Sequence, residues 1–366
     1  MNEQSPIAVT QLIQSRYGSF HILAGEDLIS DSLRQYGEWA QQELNILLAF
    51  IEPGQTVVDA GAYIGTHTRA FSNRVGPTGN VFSFEPNPSS FAVLQANVAA
   101  APIANIHPLN LGLGAREEKL SITLDNNLHN LASASMTQGY EQEIATARIQ
   151  AMDAIDIPCV HLLKVDVEGM ELALLEGAQH IIDRDHPSIF LEVNSLEGSH
   201  EFLSWSTDHD YVAYGIHVGA FNPDNYLQAN ANIFGSACEV GLLLIHEQAI
   251  FRHALALARL NLPLIDSLDA LALLLLHKPQ YLEETLAATD ACKQLGLSIA
   301  SSERQQLQEL ETLLRAKDLA LENAAQAYVA LQAAFEMKES ELRRVLSAIQ
   351  EATEQGLSAQ PPQTGV

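Results

Sequence analysis

Val57-Val58-Asp59-Ala60-Gly61-Ala62-Tyr63-Ile64-Gly65-Thr66-His67-Thr68 reads as a short buried strand that ends in an acid and turns through two glycines into a helix. Gly61 and Gly65 lack the Cβ that would hold a ligand off the backbone. The helix that follows offers unpaired N–H groups at its start. The Asp59 carboxylate shifts the preference from a bare phosphate towards a cationic or hydroxyl-rich ligand. An amino-acid-bearing nucleoside fits that combination better than a pyrophosphate.

Outward from this stretch, strand and helix alternate from residue 56 to residue 193. Strands are predicted at 56–59, 80–85, 106–111, 160–166 and 188–193, and helices at 66–75, 89–100 and 171–182. Such alternation predicts an α/β fold, a Rossmann-like parallel sheet with helices on both faces. An inserted strand pair is predicted at 119–124 and 146–152 around a polar loop, 125–138. Two further strands at 211–214 and 241–245 suit an antiparallel sheet edge. Ahead of the sheet, residues 1–55 form a lead-in, with a short strand pair at Arg16-Tyr17-Gly18 and His21-Ile22-Leu23 and a helix at 38–51.

Three acids are predicted at the carboxyl edge of this sheet, where ligands bind in open α/β folds: Asp59, Glu85 and Asp166. Glu85 lies 24 residues beyond Gly61, in Phe84-Glu85-Pro86-Asn87, placed to accept hydrogen bonds from ribose hydroxyls. Tyr63 stands where the second glycine of the dinucleotide fingerprint belongs, which counts against a nicotinamide cofactor. In Lys164-Val165-Asp166-Val167-Glu168-Gly169, Glu168 opens the next helix, so a helix-capping role competes with a functional one.

With these motifs the chain resembles the FkbM family of S-adenosylmethionine-dependent methyltransferases of the class I fold. The resemblance runs from about residue 40 to about residue 250 and is carried by 57–68, 84–87, 163–177 (LKVDVEGMELALLEG) and 190–194. It implies S-adenosyl-L-methionine as cofactor. Asp59, Gly61, Ala62, Tyr63, Gly65, Thr66 and Thr68 would surround its methionine end, Glu85 with Pro86 and Asn87 its ribose, and Gly112 its adenine side. Asp166 would face the methyl-transfer side, and Asp166 and Glu168 are the candidates to orient or deprotonate an acceptor hydroxyl on a sugar, glycan or other small molecule. His67, His161 and His217 are alternative bases, and Glu192, Asn194 and residues 222–232 candidate acceptor contacts. Two departures stand out: Tyr63 where the family often has Asn, and Gly112-Leu113-Gly114-Ala115 in place of Ala-Leu-Gly-Asp.

Composition narrows the setting. A formal net charge of −26 argues against nucleic-acid binding;. Cys159, Cys238 and Cys292 are scattered, without a CxxC, which predicts a reducing, cytoplasmic compartment and no structural zinc;. No dense cluster of metal ligands is visible, so no metal is assigned. The N-terminus has neither a basic nor an apolar signal region, and no apolar run is long enough for a membrane span. Beyond residue 250 the chain turns rich in Ala and Leu. A helical segment is predicted over 251–300, with helices at 253–260, 265–276 and 283–295. Leu307, Leu314, Leu321, Tyr328, Phe335, Leu342 and Ile349 fall seven apart. They predict a coiled coil over 301–355 that self-associates or docks a partner, followed by a disordered tail at 356–366. The alternative reading of the whole is a non-catalytic assembly protein with a methyltransferase-like binding module.

Overall fold

Apolar runs bounded by turn residues set the order of elements. In a computed structural model of the chain, residues 10–23, 27–123, 143–167, 169–278 and Lys338 are described. A hairpin, β1 (Thr10–Ser15) and β2 (Gly18–Leu23), turns at Arg16-Tyr17 and precedes α1 (Leu28–Tyr36) and α2 (Gln41–Leu47). Local chemistry bounds α1: Asp27 Oδ1 accepts from the Ser30 N–H at 2.9 Å, and Gly37 closes the helix at a left-handed φ of 69°;. The alternating part follows as β3 (Thr56–Ala60), α3 (Thr66–Val75), β4 (Asn80–Phe84), α4 (Pro88–Ala99) and β5 (Ile106–Leu109). Next come β6 (Gly112–Leu113), β7 (Glu118–Thr123) and β8 (Glu143–Gln150), a small separate sheet ordered β6-β8-β7. Then β9 (Leu162–Val165), α5 (Glu171–Gly177), α6 (Gln179–Asp185), β10 (Ser188–Glu192) and α7 (Leu196–Asp208) lead to the long hairpin β11 (Tyr211–Gly219) and β12 (Cys238–His246). Helices α8 (Ile250–Leu260) and α9 (Leu268–Leu275) close the described part. The chain divides into the units Met1–Leu295 and Gly296–Val366, and all described residues except Lys338 belong to the first.

The main sheet has seven strands in the order β11-β12-β10-β9-β3-β4-β5. Pairs β10·β9, β9·β3, β3·β4 and β4·β5 are parallel, while β12 runs antiparallel to both β10 and β11. From β3 the chain winds outward through β4 to β5, then returns to lay β9 and β10 on the other side. Strand order therefore reverses between β3 and β9, and the crevice outside their carboxyl ends is the expected ligand site. The β11–β12 hairpin at the far edge departs from the all-parallel dinucleotide-binding order;.

Both faces of the sheet are covered, so the central strands are apolar on both sides. Val58, Ala60, Leu163 and Val165 face one core with α5, α6 and α9; Val57, Val81, Leu162 and Phe190 face the other with α2 and α3. Period-two alternation puts Asp59, Ser83 and Lys164 on this second face, one step beyond its last apolar residues. They form a polar layer over the core at the carboxyl edge.

Several expectations are adjusted. The helix predicted at 171–182 breaks into α5 and α6 at Ala178, which leaves helical geometry at φ −114° and ψ 9°, next to Gly177, where a Cβ would sit 2.0 Å from the Gly114 carbonyl. The helix predicted at 38–51 is shorter, α2 followed by a 3-10 turn at Leu48–Phe50. Strands β11 and β12 run longer than predicted, and α1 and α7 were not anticipated. The loop at 125–138, Glu168, the helix at 283–295, the coiled coil at 301–355 and the tail at 356–366 lie outside the described residues. Among those described, no helix is long and apolar enough to cross a membrane.

Candidate active site

The turn between β3 and α3 is built for its own packing first. Gly61 has φ 77°, and a Cβ there would sit 1.7 Å from the Asp166 carbonyl oxygen. Gly65 has φ 94°, and its Cβ would sit 2.7 Å from Leu94 Cδ1. Both glycines are thus required by close protein neighbours as well as by their positive φ. The Gly61 and Ala62 N–H groups both donate to the Phe84 carbonyl, at 3.0 and 2.9 Å, tying the turn to β4. The N-terminal hairpin covers the turn: Ile64 is fully buried beneath Phe20, Ile22 and Leu33. Asn97 bonds the Ile64 carbonyl and both backbone groups of His21, and Arg69 reaches the Asn97 and Tyr17 carbonyls.

Under the turn lies a buried charge network. Asp59 is fully buried; its Oδ2 accepts from Thr68 Oγ1 at 2.6 Å, and its Oδ1 lies 3.5 Å from Lys164 Nζ. Thr68 is fully buried as well, and Thr66 sits beside it at the start of α3. Lys164 Nζ also donates to the Gly61 carbonyl at 3.2 Å and to Asp166 Oδ2 at 3.0 Å. Burial alone would lower the Lys164 pKa, but the charges of Asp166 and Asp59 outweigh it and raise the pKa, so the ammonium stays charged;. One lysine therefore joins the glycine turn to the acid on β9. Its neighbours Asp59 and Asp166 were singled out from the sequence and Lys164 was not, although its alternation with Leu162 on β9 gives it the Asp59 face.

Glu85 follows β4 and is nearly buried. Its Oε2 accepts from the Tyr63 N–H and its Oε1 from the Asn87 N–H, both at 2.8 Å. Tyr63 reaches this bond through a left-handed φ of 49°. Burial pushes the Glu85 carboxyl up to about 7, against the lowering pull of those two N–H groups. Asn87 is 6% exposed and caps α4 with its oxygen, while its Nδ2 has no hydrogen-bond partner among the described residues. A buried amide donor beside a carboxylate with spare lone pairs matches a ligand that carries both hydroxyls and acceptor atoms. Pro86 packs against Gly112, which is wedged in turn beneath Ile149.

Across the switch point, the Asp166 side chain is 33% exposed and lines a cavity of about 360 Å³ with Glu192, Asn194 and Glu171. Burial would raise the Asp166 pKa; the Lys164 charge and the Glu192 hydrogen bond hold it below the usual carboxylate range. Burial and the Asp166 charge push Glu192 well above that range;. Lys278 Nζ reaches Glu192 at 3.4 Å and bonds the Asn194 amide oxygen. The structure thus brings Glu85, Asp166 and the Gly61–Gly65 turn to one edge, with Asp59 beneath it.

Two other candidates fall elsewhere: His161 Nδ1 accepts from the Thr56 N–H at the opposite end of the sheet, and His217 stacks on His277. His67, between Thr66 and Thr68 at the start of α3, is buried 3.1 Å from Glu43 and near enough to Asp166 for its charge to lower that carboxyl. Residues 222–232 pack on the lead-in, where Asn222 and Tyr226 bond Glu38 and the Tyr36 hydroxyl donates to the Ala231 carbonyl. Lys278 could be found only in three dimensions; in sequence it reads as a helix end before Pro279.

Residues 59–214 match the family model described as the methyltransferase FkbM domain. Over 137 residues the chain is 31% identical to the hexuronic acid methyltransferase AglP of Haloferax volcanii, an alignment covering 37% of this chain and 55% of that one. Over 183 residues it is 28% identical to the 31-O-demethyl-FK506 methyltransferase FkbM of Streptomyces tacrolimicus, covering 41% of this chain and 69% of that one. The chain thus spans little more than half the length of the archaeal relative. Among solved structures, a methyltransferase FkbM from Methylobacillus flagellatus aligns at a TM-score of 0.35 and 17% identity, over 52% of this chain and 43% of that one. The matched stretch begins within the motif at 57–68 and contains those at 84–87 and 163–177.

Proposed function

We propose that this chain is an S-adenosylmethionine-dependent methyltransferase acting on a hydroxyl of a sugar, glycan or other small molecule. The observation that carries the reading is the convergence of the Gly61–Gly65 turn, Glu85 and Asp166 on the crevice where strand order reverses. The archaeal relative, named for a hexuronic acid, supports a sugar hydroxyl as acceptor.

The residues present fit the cofactor. Glu85 retains lone pairs for two ribose hydroxyls, and the unpartnered Asn87 Nδ2 supplies a donor beside it. The turn residues Ala62, Tyr63 and Thr66 would flank the methionine end. Asp59 and Thr68 would act from below, by fixing the turn through Lys164. S-adenosylmethionine, when bound, supplies an electrophilic sulfonium methyl. The protein's part is alignment, exclusion of water and care of one proton. Ionised Asp166 accepts a hydrogen bond from the acceptor hydroxyl and so turns a lone pair towards the crevice; Glu168 is a second candidate for this role.

Differential scanning fluorimetry with S-adenosylmethionine and its demethylated product tests the reading. Ligand at 100 times its Kd stabilises the native state by about 2.7 kcal/mol, a readily measured rise in Tm. No shift with either compound refutes it. The same reading divides the chain into a lead-in at 1–55, a methyltransferase domain at 56–250, a helical segment at 251–300 and a self-associating coiled coil at 301–355.

A further inference from the structure

We propose that Lys278 is a positioning residue of the methyl-acceptor pocket: its ammonium holds Glu192 and Asn194 in the pocket wall and fixes Asn194 as a hydrogen-bond donor to the acceptor. The inference rests on the methyltransferase reading and adds a residue to its site. Lys278 lies beyond the matched residues 59–214, so the site extends past residue 250 into the helical segment.

Packing delivers this side chain on rigid elements. After α8 the chain pairs with the edge of the main sheet: the Gly215 N–H donates to the Pro263 carbonyl at 2.8 Å, and the Ile265 N–H to the Ala213 carbonyl at 2.9 Å. Ser267 Oγ accepts from the Ala270 N–H and caps the start of α9;. Leu271, Leu274 and Leu275, at helical spacing, are buried in the core they share with β10 and β11. Strand β11 carries Gly215 beneath them, where a Cβ would sit 3.0 Å from Leu274 Cδ1 and 3.1 Å from Ile265 Cδ1. The His277 and Lys278 N–H groups close the last turn on the Leu274 and Leu275 carbonyls, at 3.1 and 2.9 Å. Lys278 thus arrives at the carboxyl end of β10, 2% exposed, with Nζ 3.4 Å from Glu192 Oε1 and donating to Asn194 Oδ1.

Burying an ammonium is costly even when it is paired, and a Met of similar length would fill the same space without that cost. The ammonium adds two things a Met cannot. One is orientation. An ammonium only donates, so the Asn194 amide must turn its oxygen to Lys278 and keep its Nδ2 hydrogens for other partners. Asn194 and Asp166 line the same cavity of about 360 Å³. The chain therefore presents a donor and an accepting carboxylate to one acceptor: the reacting hydroxyl donates to Asp166 while another oxygen of the acceptor receives Asn194 Nδ2. The other contribution is charge. Burial and the Asp166 charge raise Glu192, and burial with the Glu43 and Asp166 charges raises Glu239 to about 7; the Lys278 charge pulls both carboxyls down;. Lys278 thereby eases the repulsion among acids that share one end of the sheet.

The test uses the full chain with isotopically labelled S-adenosylmethionine, and methyl hexosides and methyl hexuronosides as probe acceptors. Lys278→Met is expected to raise the KM of a methylated probe about tenfold while the Kd of S-adenosylmethionine, by calorimetry, stays within about twofold. Asn194→Asp keeps the oxygen that Lys278 requires and removes the Nδ2 donors; it should raise KM of the hexoside about as much with Tm unchanged, and it decides the matter if Lys278→Met does not fold. An unchanged KM in either folded variant overturns the inference, as does a loss of cofactor affinity in Lys278→Met as large as the loss for the probe, the mark of a merely structural role. A carboxyl titration of Glu192 by carbon-13 NMR needs no acceptor: its pKa should rise by at least about one pH unit in Lys278→Met, and no rise overturns the inference. Cofactor binding with no probe methylated by the unaltered chain would instead overturn the sugar acceptor, and absence of cofactor binding the methyltransferase reading itself.

Discussion

Replacing Lys164 by Met removes the ammonium that lies between Asp59 and Asp166, and the two carboxylates should respond unequally. Asp166, with a side chain 33% exposed, can rehydrate. Asp59 is fully buried and keeps a single charged-group hydrogen bond, from Thr68 at 2.6 Å. Breaking a buried pair by removing one partner costs about 3–5 kcal/mol. The surviving Thr68 bond and the rehydration of Asp166 argue for the lower end, about 3 kcal/mol, which is a large part of the roughly 5–15 kcal/mol that holds a protein folded. Urea unfolding of both proteins at pH 7 measures this. A second substitution, Asp59→Asn, should recover part of the loss in a double-mutant cycle. A deficit below about 1 kcal/mol, or no recovery in the double variant, would show that Lys164 does not compensate Asp59.

Glu85 supplies a pH prediction of two signs. Its carboxyl sits at about 7 when folded, against an ordinary 4.5, so its contribution to the stability of the ligand-free protein is complete below pH 4.5 and lost as pH rises through 7; the loss is about 3 kcal/mol and Glu85→Gln should abolish it. Cofactor affinity should run the other way, about tenfold tighter at pH 8 than at pH 6 by calorimetry, because ionised Glu85 accepts hydroxyl donors; a flat profile counts against its ribose role. Gly61→Ala should cost more than about 4 kcal/mol in chemical denaturation, whereas Gly235→Ala should cost only about 1 kcal/mol. Both have positive φ, but only Gly61 has an atom within 4 Å of the added carbon; equal losses would refute the close-contact argument. Ending the chain at Ala300 should reduce the mass seen by light scattering to that of a monomer, and an unchanged association state refutes self-association through the heptads.

The alternation of strand and helix was legible because both faces of the sheet are buried, so each central strand is a short apolar run with turns at its ends. Helix α3 was legible to the residue, since Gly65 and Gly76 flank it. Helix α7 was hidden because it buries Ser199 and Ser206 beside Phe202, which blurs its apolar period. At the site, Asp59, Glu85 and Asp166 could be placed on one edge from strand order alone. Their orientations could not. Alternation with Val57 turns Asp59 into the α3 face, and only the register of β3 on β9 shows that Lys164 lies opposite. Lys278 meets Glu192 across 86 positions of sequence, a contact that no local pattern encodes.

The hairpin of residues 10–23 lies over the glycine turn, and Arg69 and Asn97 stitch the two together. Its consequence is one of preorganisation. The entropy lost in fixing the turn is spent when the protein folds, not when a ligand arrives, so binding needs to order fewer groups. Changes at Phe20 or Ile22, which pack on Ile64 of the turn, should then weaken the binding of a ligand at the turn by loosening the turn itself;.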